Sequence, residues 1–378
     1  MNEYFIGLMS GTSLDAVDAV VVDFASFPPQ LCAAAEIAIS PQLRDKILAL
    51  TSKGDNEIER LGQLDCELGE LFATAANRVM KLAELKSKDI TAIGSHGQTI
   101  RHHPKLFSLQ IGDPNRIAEQ TGVTTVADFR RRDIAVGGEG APLAPAYHHW
   151  LLGGELGAKS GVVVNIGGMA NITLLPTQGA EIVGFDTGPG NVLMNSWAEQ
   201  SLGELMDRDG AQARSGEVVE PLLSQLKEEE FFLKPPPKST GRETFNNRWL
   251  QQQLVKYSTG DITLKDEDIA ATLCELTAST IATAILTSAE SNIAKSLWVC
   301  GGGAHNSYLL ERLSFHLPEW KVSSSETVGM DPDWVEAIAF AWLARQTISR
   351  QSGNLPSVTG ATKATILGAI FPSVEGTF

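Results

Sequence analysis

Residues 7–20 read GLMSGTSLDAVDAV, and this stretch decides the fold of the chain. An apolar, β-prone run enters the small residues at 10–13 and a second apolar run follows them, which predicts two strands joined by a tight turn. Backbone N–H groups and hydroxyls in such a turn can surround phosphate oxygens. Asp15 and Asp18 stand where carboxylates could hold Mg²⁺, usually through water. The alternative is an ordinary hairpin with an acidic tip.

A second small-residue hairpin is predicted in the other half of the chain. Two alternating runs, GVVVNI and MANITLL, flank Gly167 and Gly168, and a Gly-Gly pair in that place is a strong turn signal. Two such hairpins, about one domain length apart, predict a duplicated fold with a nucleotide between its halves. Residues 301–303 are consecutive glycines after an apolar strand, and their bare backbone would let a flat adenine ring approach closely.

The composition is that of a soluble globular protein with two domains or one large one, because 43% of its 378 residues are hydrophobic and 20% are charged. The formal net charge is −15, and the main basic cluster, residues 130–132, is flanked by Asp128 and Asp133. Since no basic stripe is available to neutralise phosphates, neither a nucleic acid nor a membrane is expected as a partner. The cluster could still bind one small anion.

Cysteine usage and the N-terminus predict a cytoplasmic protein. The four cysteines lie far apart and form no CxxC pair, which is typical of a reducing compartment and suggests no structural zinc site. The sequence starts directly with a predicted strand and shows no basic-then-apolar leader. The longest uncharged stretch, residues 160–180, is broken by glycines and asparagines, so we expect no membrane-spanning helix there.

Two polar segments are candidates for catalysis and substrate binding. Asp186 is predicted to stand where a strand ends and a glycine turn begins, and functional side chains concentrate there in open α/β sheets. A carboxylate in that place could be a general base, or it could hydrogen-bond its own turn. Residues 95–99, SHGQT, follow a short buried strand, and their side chains suit sugar hydroxyls as well as an ordinary satisfied turn.

Taken together, the motifs resemble the anhydro-N-acetylmuramic acid kinase family, within the actin-like ATPase and sugar kinase superfamily. They occur in family order from residue 7 to residue 344, so the resemblance covers nearly the whole chain. The matching segments are GLMSGTSLDAVDA, SHGQTIRHHP, LQIGDP, ADFRRRDIAVGGEGAPL, NIGGMANIT, GFDTGPGN, KPPPKSTGRE, CGGGAHN and PDWVEAIAFAWLA. Nine ordered motifs are far more specific than any one of them.

The resemblance implies an α/β fold of two duplicated ribonuclease-H-like domains with an ATP cleft between them. The first actin-like domain, residues 1–133, would carry the first phosphate hairpin. The second, residues 134–378, would carry the second hairpin, the catalytic Asp186 and the adenosine site. The glycine-rich residues 135–143 are the candidate crossing between the domains. We expect the two halves to close on ATP, and a homodimer is expected from the family alone.

The implied reaction uses ATP and water to open the 1,6-anhydro bridge of 1,6-anhydro-N-acetylmuramic acid and to phosphorylate O6. The product would be N-acetylmuramic acid 6-phosphate, formed in cell-wall (peptidoglycan) recycling. Asp186 would take a proton from the water that attacks the anomeric carbon, while O6 departs toward the γ-phosphate. Such a transfer needs in-line positioning and charge stabilisation more than covalent help.

The same resemblance implies the binding residues. The β/γ-phosphates and Mg²⁺ would be held by Gly11, Thr12, Ser13, Leu14, Asp15, Ala16, Val17 and Asp18, with Asp15 and Asp18 toward the metal. The second phosphate turn would be Gly167 and Gly168, and the adenosine site would be Gly301, Gly302 and Gly303. Substrate contacts would come from Ser95, His96, Gln98, Thr99, Asp128, Arg130 and Glu336. Arg130 is a natural partner for the lactyl carboxylate of the sugar.

One departure from the family pattern is visible at Ala16, where the family usually has glycine. If the backbone there needs a positive φ, alanine costs about 1 kcal/mol. A small residue is retained, so we expect function to survive.

Three alternatives stay open. The chain could be another sugar or acyl kinase of the same superfamily, with a different base and substrate cluster. It could be a hydrolase that opens anhydro sugars without ATP, with Asp186 and a second carboxylate as the catalytic pair, but the two phosphate hairpins would then have no role. It could also be a catalytically silent sugar or nucleotide sensor, against which Asp15, Asp18 and Asp186 argue.

Overall fold

The chain divides into two units in the computed structural model, which describes residues 3–11, 14–153, 159–177, 180–257, 264–289 and 292–373. Unit 1 comprises Met1–Leu151 with Trp334–Phe378, and unit 2 comprises Leu152–Asp333. Each unit carries its own mixed sheet with helices packed on it. The predicted α/β class is therefore confirmed.

The helices and strands follow one another in the order that α/β layers require. Unit 1 begins with β1 (Tyr4–Met9), β2 (Ala16–Asp23), β3 (Gln30–Ala38), α1 (Pro41–Thr51), α2 (Glu57–Leu82), β4 (Ile90–Ser95), β5 (Gln98–His103), β6 (Phe107–Ile111), α3 (Pro114–Thr121), β7 (Thr125–Ala127), α4 (Phe129–Ala135) and α5 (Ala144–His148). Unit 2 contains β8 (Gly161–Ile166), β9 (Met169–Leu175), β10 (Val183–Pro189), α6 (Asn191–Leu202), α7 (Ala211–Ser215), α8 (Glu220–Leu226), α9 (Glu230–Leu233), α10 (Asn247–Tyr257), α11 (Asp266–Ser288), β11 (Ser296–Cys300), α12 (Ser307–His316) and β12 (Lys321–Ser324). The chain then returns to unit 1 with α13 (Val335–Ile348), α14 (Pro356–Thr359) and β13 (Ala369–Phe371).

The sheet of unit 1 has the strand order β13-β7-β4-β1-β2-β3. Strands β1, β2 and β3 form an antiparallel meander, and β4 and β7 continue the sheet in parallel with β1. Helix α2 covers this sheet with Leu64, Leu68 and Phe72, which recur every four residues and are buried in the core. Strands β5 and β6 form a separate two-stranded hairpin.

The sheet of unit 2 repeats this plan, with the strand order β10-β9-β8-β11-β12. Again three antiparallel strands, β8, β9 and β10, are followed by two strands parallel to the first, β11 and β12. Unit 1 differs by the additional edge strand β13. The common order and strand directions confirm the predicted duplication, while the placement of a nucleotide between the halves stays a prediction.

Helix α11 is the central helix of unit 2. It is long and apolar enough to cross a membrane, but 83% of its apolar segment is buried inside the protein. Leu273, Leu276 and Ile281 lie in the hydrophobic core with the inner face of the sheet. Asp266 and Glu267 open the helix and interact favourably with the positive end of its dipole. We conclude that α11 is a core helix.

The observed unit bounds differ from the predicted domains 1–133 and 134–378. The chain leaves unit 1 after Leu151 and comes back to it at Trp334. The return is made by α13, which packs on β1 and β4, and by β13, which pairs with β7. These contacts join residues more than 200 positions apart, so no local pattern in the sequence announces them.

Residues 135–143 do not cross between the units, because Asp133 anchors them inside unit 1. The Asp133 carboxylate is fully buried and accepts hydrogen bonds from the Gly140 N–H at 2.8 Å, from Asn354 Nδ2 at 2.7 Å and from Thr359 Oγ1 at 2.8 Å. One buried side chain therefore ties the glycine-rich loop to the C-terminal segment.

Glycine is required where α13 crosses β1 and β4. A Cβ on Gly7 would stand 1.8 Å from the carbonyl oxygen of Ala337, and one on Gly94 would stand 2.0 Å from that of Phe340. Only a residue without a Cβ lets the helix backbone approach the strands so closely.

We expect Gly94→Ala to destabilise the protein by about 2 kcal/mol or more, because the backbone of α13 would have to move away from the sheet. Gly62→Ala is the matched control: it lies in α2, its new Cβ would meet no atom within 4 Å, and helix propensity favours alanine there by about 1 kcal/mol. Urea unfolding measures both effects. Similar midpoints for the two variants would contradict this account of the crossing.

Candidate active site

Strands β1 and β2 of the first hairpin pair in antiparallel fashion as predicted, and Met9 pairs with Asp18. In the turn, the N–H of Leu14 faces the carbonyl of Gly11 at 3.4 Å, and Leu14 adopts a φ of 58°. Thr12 and Ser13 lie outside the described residues. The hairpin thus places the backbone of Gly11 and Leu14 at one end of the sheet, and the role of the two hydroxyl residues stays a prediction.

The apolar side chains of this hairpin lie in the core of unit 1. Leu14 is 4% exposed and Val17 is completely buried, so only their backbone groups are available to a nucleotide. Ala16 opens β2 opposite Ala38 and does not have a positive φ. The cost that a left-handed conformation would impose on alanine at this position therefore does not arise.

The first hairpin carries two carboxylates, which stay candidates for a magnesium ion held largely by water. Asp15 is exposed, with Oδ1 at 3.9 Å from Nη1 of Arg44, and Asp18 is half-buried on β2. Among the described residues, His, Cys, Asp and Glu form no group of three or more that could hold a metal ion. Mg²⁺ does not require such a group, because it keeps several waters and takes one or two carboxylates together with substrate phosphates.

The polar segment after β4 is bonded to the first hairpin. Ser10 Oγ donates to Gln98 Oε1 at 2.7 Å, and both side chains are buried. Gln98 Nε2 donates in turn to the Thr99 carbonyl at 3.2 Å. Ser95 Oγ is buried and has no hydrogen-bond partner in the described part of the chain. Unit 1 therefore brings the turn of the first hairpin and the predicted sugar-binding segment together.

Thr99 lies on a polar face of the β5–β6 hairpin that we did not identify from the sequence. Its Oγ1 accepts from Gln110 Nε2 at 3.0 Å, and Gln110 also donates to Ser108 Oγ, which lies 3.0 Å from Nδ1 of His102. Burial, followed by the charge of Arg130, lowers the pKa of His102 to about 4. This face therefore lies within electrostatic reach of Arg130, and the alternation of polar and apolar residues in β6, which places Ser108 and Gln110 on one side, was the signal for it.

Arg130 is the centre of the predicted substrate cluster. Its Nε and Nη2 donate to His96 Nε2 at 3.2 Å and 2.8 Å, and its Nη1 donates to the Gly140 carbonyl at 2.9 Å. Burial lowers the pKa of Arg130 to about 10, whereas the charges of Glu336 and then Asp133 raise it. The guanidinium is therefore cationic at neutral pH, and Glu336 lies within its electrostatic reach.

The carboxylate of Asp128 is engaged by the exposed Arg131. Arg131 Nε donates to both oxygens at 2.8 Å, and Asp128 has a φ of 61° where it leads into α4. This interaction raises the pKa of Arg131. A sugar hydroxyl would have to share the carboxylate with Arg131.

The second hairpin, β8 and β9 with Gly167 and Gly168 between them, also forms as predicted. The Gly167 carbonyl accepts the N–H of Asn191 at 2.8 Å, and the Gly168 carbonyl accepts those of Gly190 at 2.9 Å and Val192 at 3.1 Å. The carbonyls of the turn thus satisfy N–H groups at the start of α6 that would otherwise lack partners. Both glycines are fixed in place by this contact.

The three-glycine turn packs beside the second hairpin. Gly301 has a φ of 75°, and its N–H donates to the Pro332 carbonyl at 2.8 Å. A Cβ on Gly301 would stand 2.4 Å from Oδ1 of Asn165, and one on Gly303 would stand 2.5 Å from Cβ of Ile166. Gly302 has more room around it. Unit 2 therefore brings the two predicted nucleotide-binding turns together at the end of β8.

Asp186 lies inside β10 and not at its end, which corrects the predicted strand. It pairs with Asn171, and the register shifts between Asp186 and Gly188, whose partner is Ala170. The strand continues through Gly188 because β9 supplies a pairing partner, although the local sequence favours a turn. A bulge of this kind re-aims side chains and is frequent beside active sites.

The carboxyl group of Asp186 is half-buried and titrates near neutral pH. Burial raises its pKa to about 7, the N–H of Thr240, which donates to Oδ2 at 2.9 Å, lowers it, and the charge of Glu243 raises it again. A carboxyl group with such a pKa is well matched to general base catalysis at physiological pH.

The loop of residues 234–243, KPPPKSTGRE, contacts Asp186 on one side, and from the sequence we assigned no site residue to it. The Lys238 carbonyl accepts the Asp186 N–H at 3.0 Å, and Lys238 Nζ donates to the carbonyls of Phe231 and Phe232. Thr240 Oγ1 is buried without a hydrogen-bond partner among the described residues. The sequence did carry a signal for this loop, because the segment is one of the nine motifs that resemble the family.

Comparison with known proteins identifies the family. The family model for anhydro-N-acetylmuramic acid kinase matches residues 3–373. Proteins named anhydro-N-acetylmuramic acid kinase from Shewanella sp. strains MR-7 and ANA-3 are 50% and 49% identical over 375 residues, which cover 98% of this chain and 99% of each relative. The solved structure of (R)-2-hydroxyglutaryl-CoA dehydratase component A from Acidaminococcus fermentans is similar with a TM-score of 0.46 and 13% identity, over 90% of this chain and 96% of that one. The chain belongs to the anhydro-N-acetylmuramic acid kinase family.

Proposed function

We propose that this kinase couples hydrolysis of the 1,6-anhydro bridge of its sugar substrate to phosphorylation of O6 by ATP. The product is N-acetylmuramic acid 6-phosphate, and the enzyme works in peptidoglycan recycling in the cytoplasm. The observation that carries this proposal is Asp186, a half-buried carboxyl group whose pKa of about 7 suits a base that activates water.

The proposed reaction balances without a further reagent. Asp186 takes one proton from water, whose oxygen bonds to the anomeric carbon as the bond from that carbon to O6 breaks. O6 then bonds to the γ-phosphorus of ATP, and ADP leaves. The charge that develops on O6 is discharged onto phosphorus, so positioning in line with the leaving group is the main requirement.

The nucleotide contacts of the proposal use the glycine turns of both hairpins. The first hairpin, from Gly11 to Asp18, binds the β/γ-phosphates through its backbone, and Gly167 and Gly168 bind phosphate from the second. Residues 301–303 hold adenosine, which their lack of side chains supports. Asp15 and Asp18 would hold Mg²⁺ through water, and the ion would offset phosphate charge.

The substrate contacts of the proposal are centred on Arg130, which pairs with the lactyl carboxylate. Hydroxyl and amide groups of the sugar meet Ser95, Gln98, Thr99, Asp128 and Glu336, and His96 belongs to the same cluster through its bonds to Arg130. The support for this arrangement is the half-buried cation of Arg130, which bonds to His96 and whose pKa the charge of Glu336 raises.

The decisive experiment measures ADP release and product mass in one reaction with ATP, Mg²⁺ and 1,6-anhydro-N-acetylmuramic acid. We expect ADP to form, and the product to be heavier than the sugar by one phosphate group and one water. A product that gains phosphate without water would overturn the coupled hydrolysis and point to another sugar kinase reaction. Ring opening without ADP would instead favour an anhydro-sugar hydrolase.

Glu243→Gln is expected to move the acidic limb of the pH–rate profile to lower pH, because the charge of Glu243 helps to raise the pKa of Asp186. The matched control is Glu230→Gln, which removes an exposed carboxylate that pairs with Lys234. The measurement is kcat/KM between pH 5 and pH 9. Identical profiles for the two variants would show that Glu243 does not act on the base.

A further inference from the structure

The guanidinium of Arg130 is held along one edge by a histidine. Nε and Nη2 share His96 Nε2 as their acceptor, at 3.2 Å and 2.8 Å, while Nη1 bonds the Gly140 carbonyl at 2.9 Å. These bonds engage three of the five N–H donors of the side chain. The two donors that remain are one N–H on Nη1 and one on Nη2. Two N–H groups on the terminal nitrogens are suited to bind a carboxylate with two parallel hydrogen bonds.

His96 is held rigidly in the form that can accept these bonds. Its ring is 5% exposed and lies 4.7 Å from the ring of Phe340, and its backbone N–H donates to the Leu8 carbonyl at 3.0 Å. A guanidinium only donates, so His96 Nε2 must carry a lone pair and the ring proton must reside on Nδ1.

Electrostatics favours the same neutral ring. Burial and the charge of Arg130 lower the pKa of His96 well below its ordinary value, and the carbonyls of Ser10 and Gly97 offset this only in part. Nδ1 is buried among protein atoms. One ring nitrogen is therefore committed to Arg130 and the other is enclosed, so His96 presents no accessible donor or acceptor to a sugar hydroxyl.

We propose that His96 is a positioning residue that fixes the guanidinium of Arg130 for the lactyl carboxylate and does not itself bind the sugar. This inference rests on the proposed role of Arg130. An arginine whose planar fork is already fixed loses little side-chain entropy when it binds a carboxylate, so the histidine contributes to substrate affinity through its neighbour.

A double-mutant cycle tests this inference. Arg130→Met is expected to raise the KM for the sugar by about 10- to 100-fold, as the loss of a charged hydrogen-bonded contact predicts. His96→Leu keeps the bulk of the ring but removes the acceptor, and we expect a smaller rise in the same KM, with kcat and the KM for ATP within about twofold of wild type. In the double variant, His96→Leu should add nothing to Arg130→Met.

Two further measurements separate positioning from a structural role. His96→Gln can place an amide oxygen near the position of Nε2, so it should restore most of the affinity. A sugar that lacks the carboxylate, 1,6-anhydro-N-acetylglucosamine, should inhibit the wild type and His96→Leu equally as a competitor. A loss of thermal stability in both His96 variants with a parallel loss of kcat would overturn the inference.

The outcomes also distinguish this inference from the proposed function. If Arg130→Met leaves the sugar KM unchanged, the proposed role of Arg130 fails, and that of His96 fails with it. If Arg130→Met has its effect and His96→Leu has none, only the inference is overturned. Additive effects in the double variant would mean that His96 contacts the sugar independently, which also overturns it.

Discussion

Asp186→Asn is expected to lower turnover by about 10²- to 10⁴-fold, the usual contribution of a general base, while the KM for ATP stays near that of the wild type. The amide has nearly the shape of the carboxyl group but cannot take a proton from water. The measurement is kcat by ADP release at saturating sugar and ATP. The exposed Asp45, changed to asparagine, is the matched control and should leave kcat unchanged.

The wild-type enzyme should show the ionisation of this base in its pH profile. The active form of Asp186 is the carboxylate, and its pKa is about 7. Activity should therefore fall about tenfold per pH unit well below pH 7 and level off above it. A profile that stays flat down to pH 5, or near-normal turnover of Asp186→Asn, would show that another group activates the water.

Asp186→Asn should also change thermal stability. The ionisation of Asp186 that raises the activity of the wild type with pH should lower its stability. Folding raises the pKa of Asp186 from the ordinary 3.8 to about 7, so the folded state favours the protonated group. The stability this provides is fully present below about pH 4 and is lost as the pH rises to about 7. Asparagine stays neutral at both pH values. The Tm of Asp186→Asn should therefore exceed that of the wild type at pH 8, and this difference in Tm should be larger at pH 8 than at pH 5. A lower Tm at pH 8 would contradict the raised pKa.

Asp133→Ala is expected to have the largest effect on stability, a loss of about 3 kcal/mol or more. The substitution leaves the Gly140 N–H, Asn354 Nδ2 and Thr359 Oγ1 without their buried acceptor, and each unsatisfied buried group costs about 1–3 kcal/mol. It should also weaken sugar binding, because the loop that carries the Gly140 carbonyl, an acceptor for Arg130, loses its anchor.

Urea unfolding and the sugar KM measure these two effects of Asp133→Ala. Asp45→Ala, on the exposed face of α1, is the control and should change the unfolding free energy by less than about 0.5 kcal/mol. Equal midpoints for the two variants would mean that the C-terminal segment and the glycine-rich loop stay in place without Asp133.

Both hairpins could be predicted because their signals are local. Gly167 and Gly168 stand between two alternating apolar runs, and a tight turn needs little more than the right residues at the right positions. The same holds for the small residues that follow β1. The order of the motifs along the chain then identified the family without any knowledge of contacts.

The environment of Asp186 could be predicted only in part. The sequence pattern picked out the residue, but Thr187, Gly188 and Pro189 favour a turn, and the pairing of β10 with β9 overrides that preference. Thr240 and Glu243, which act on its pKa, are more than 50 positions away in the chain. Only folding brings them to the carboxyl group.

The sequence by itself determined the α/β class, the duplication, the two hairpins and the family, because turn chemistry, strand periodicity and ordered motifs are properties of neighbouring residues. The tertiary structure alone decided the unit boundary, the glycines beneath α13, the anchoring by Asp133 and the bond between His96 and Arg130. These features depend on close approach and burial between distant segments. Burial is also what gives Asp186 its pKa near neutral pH.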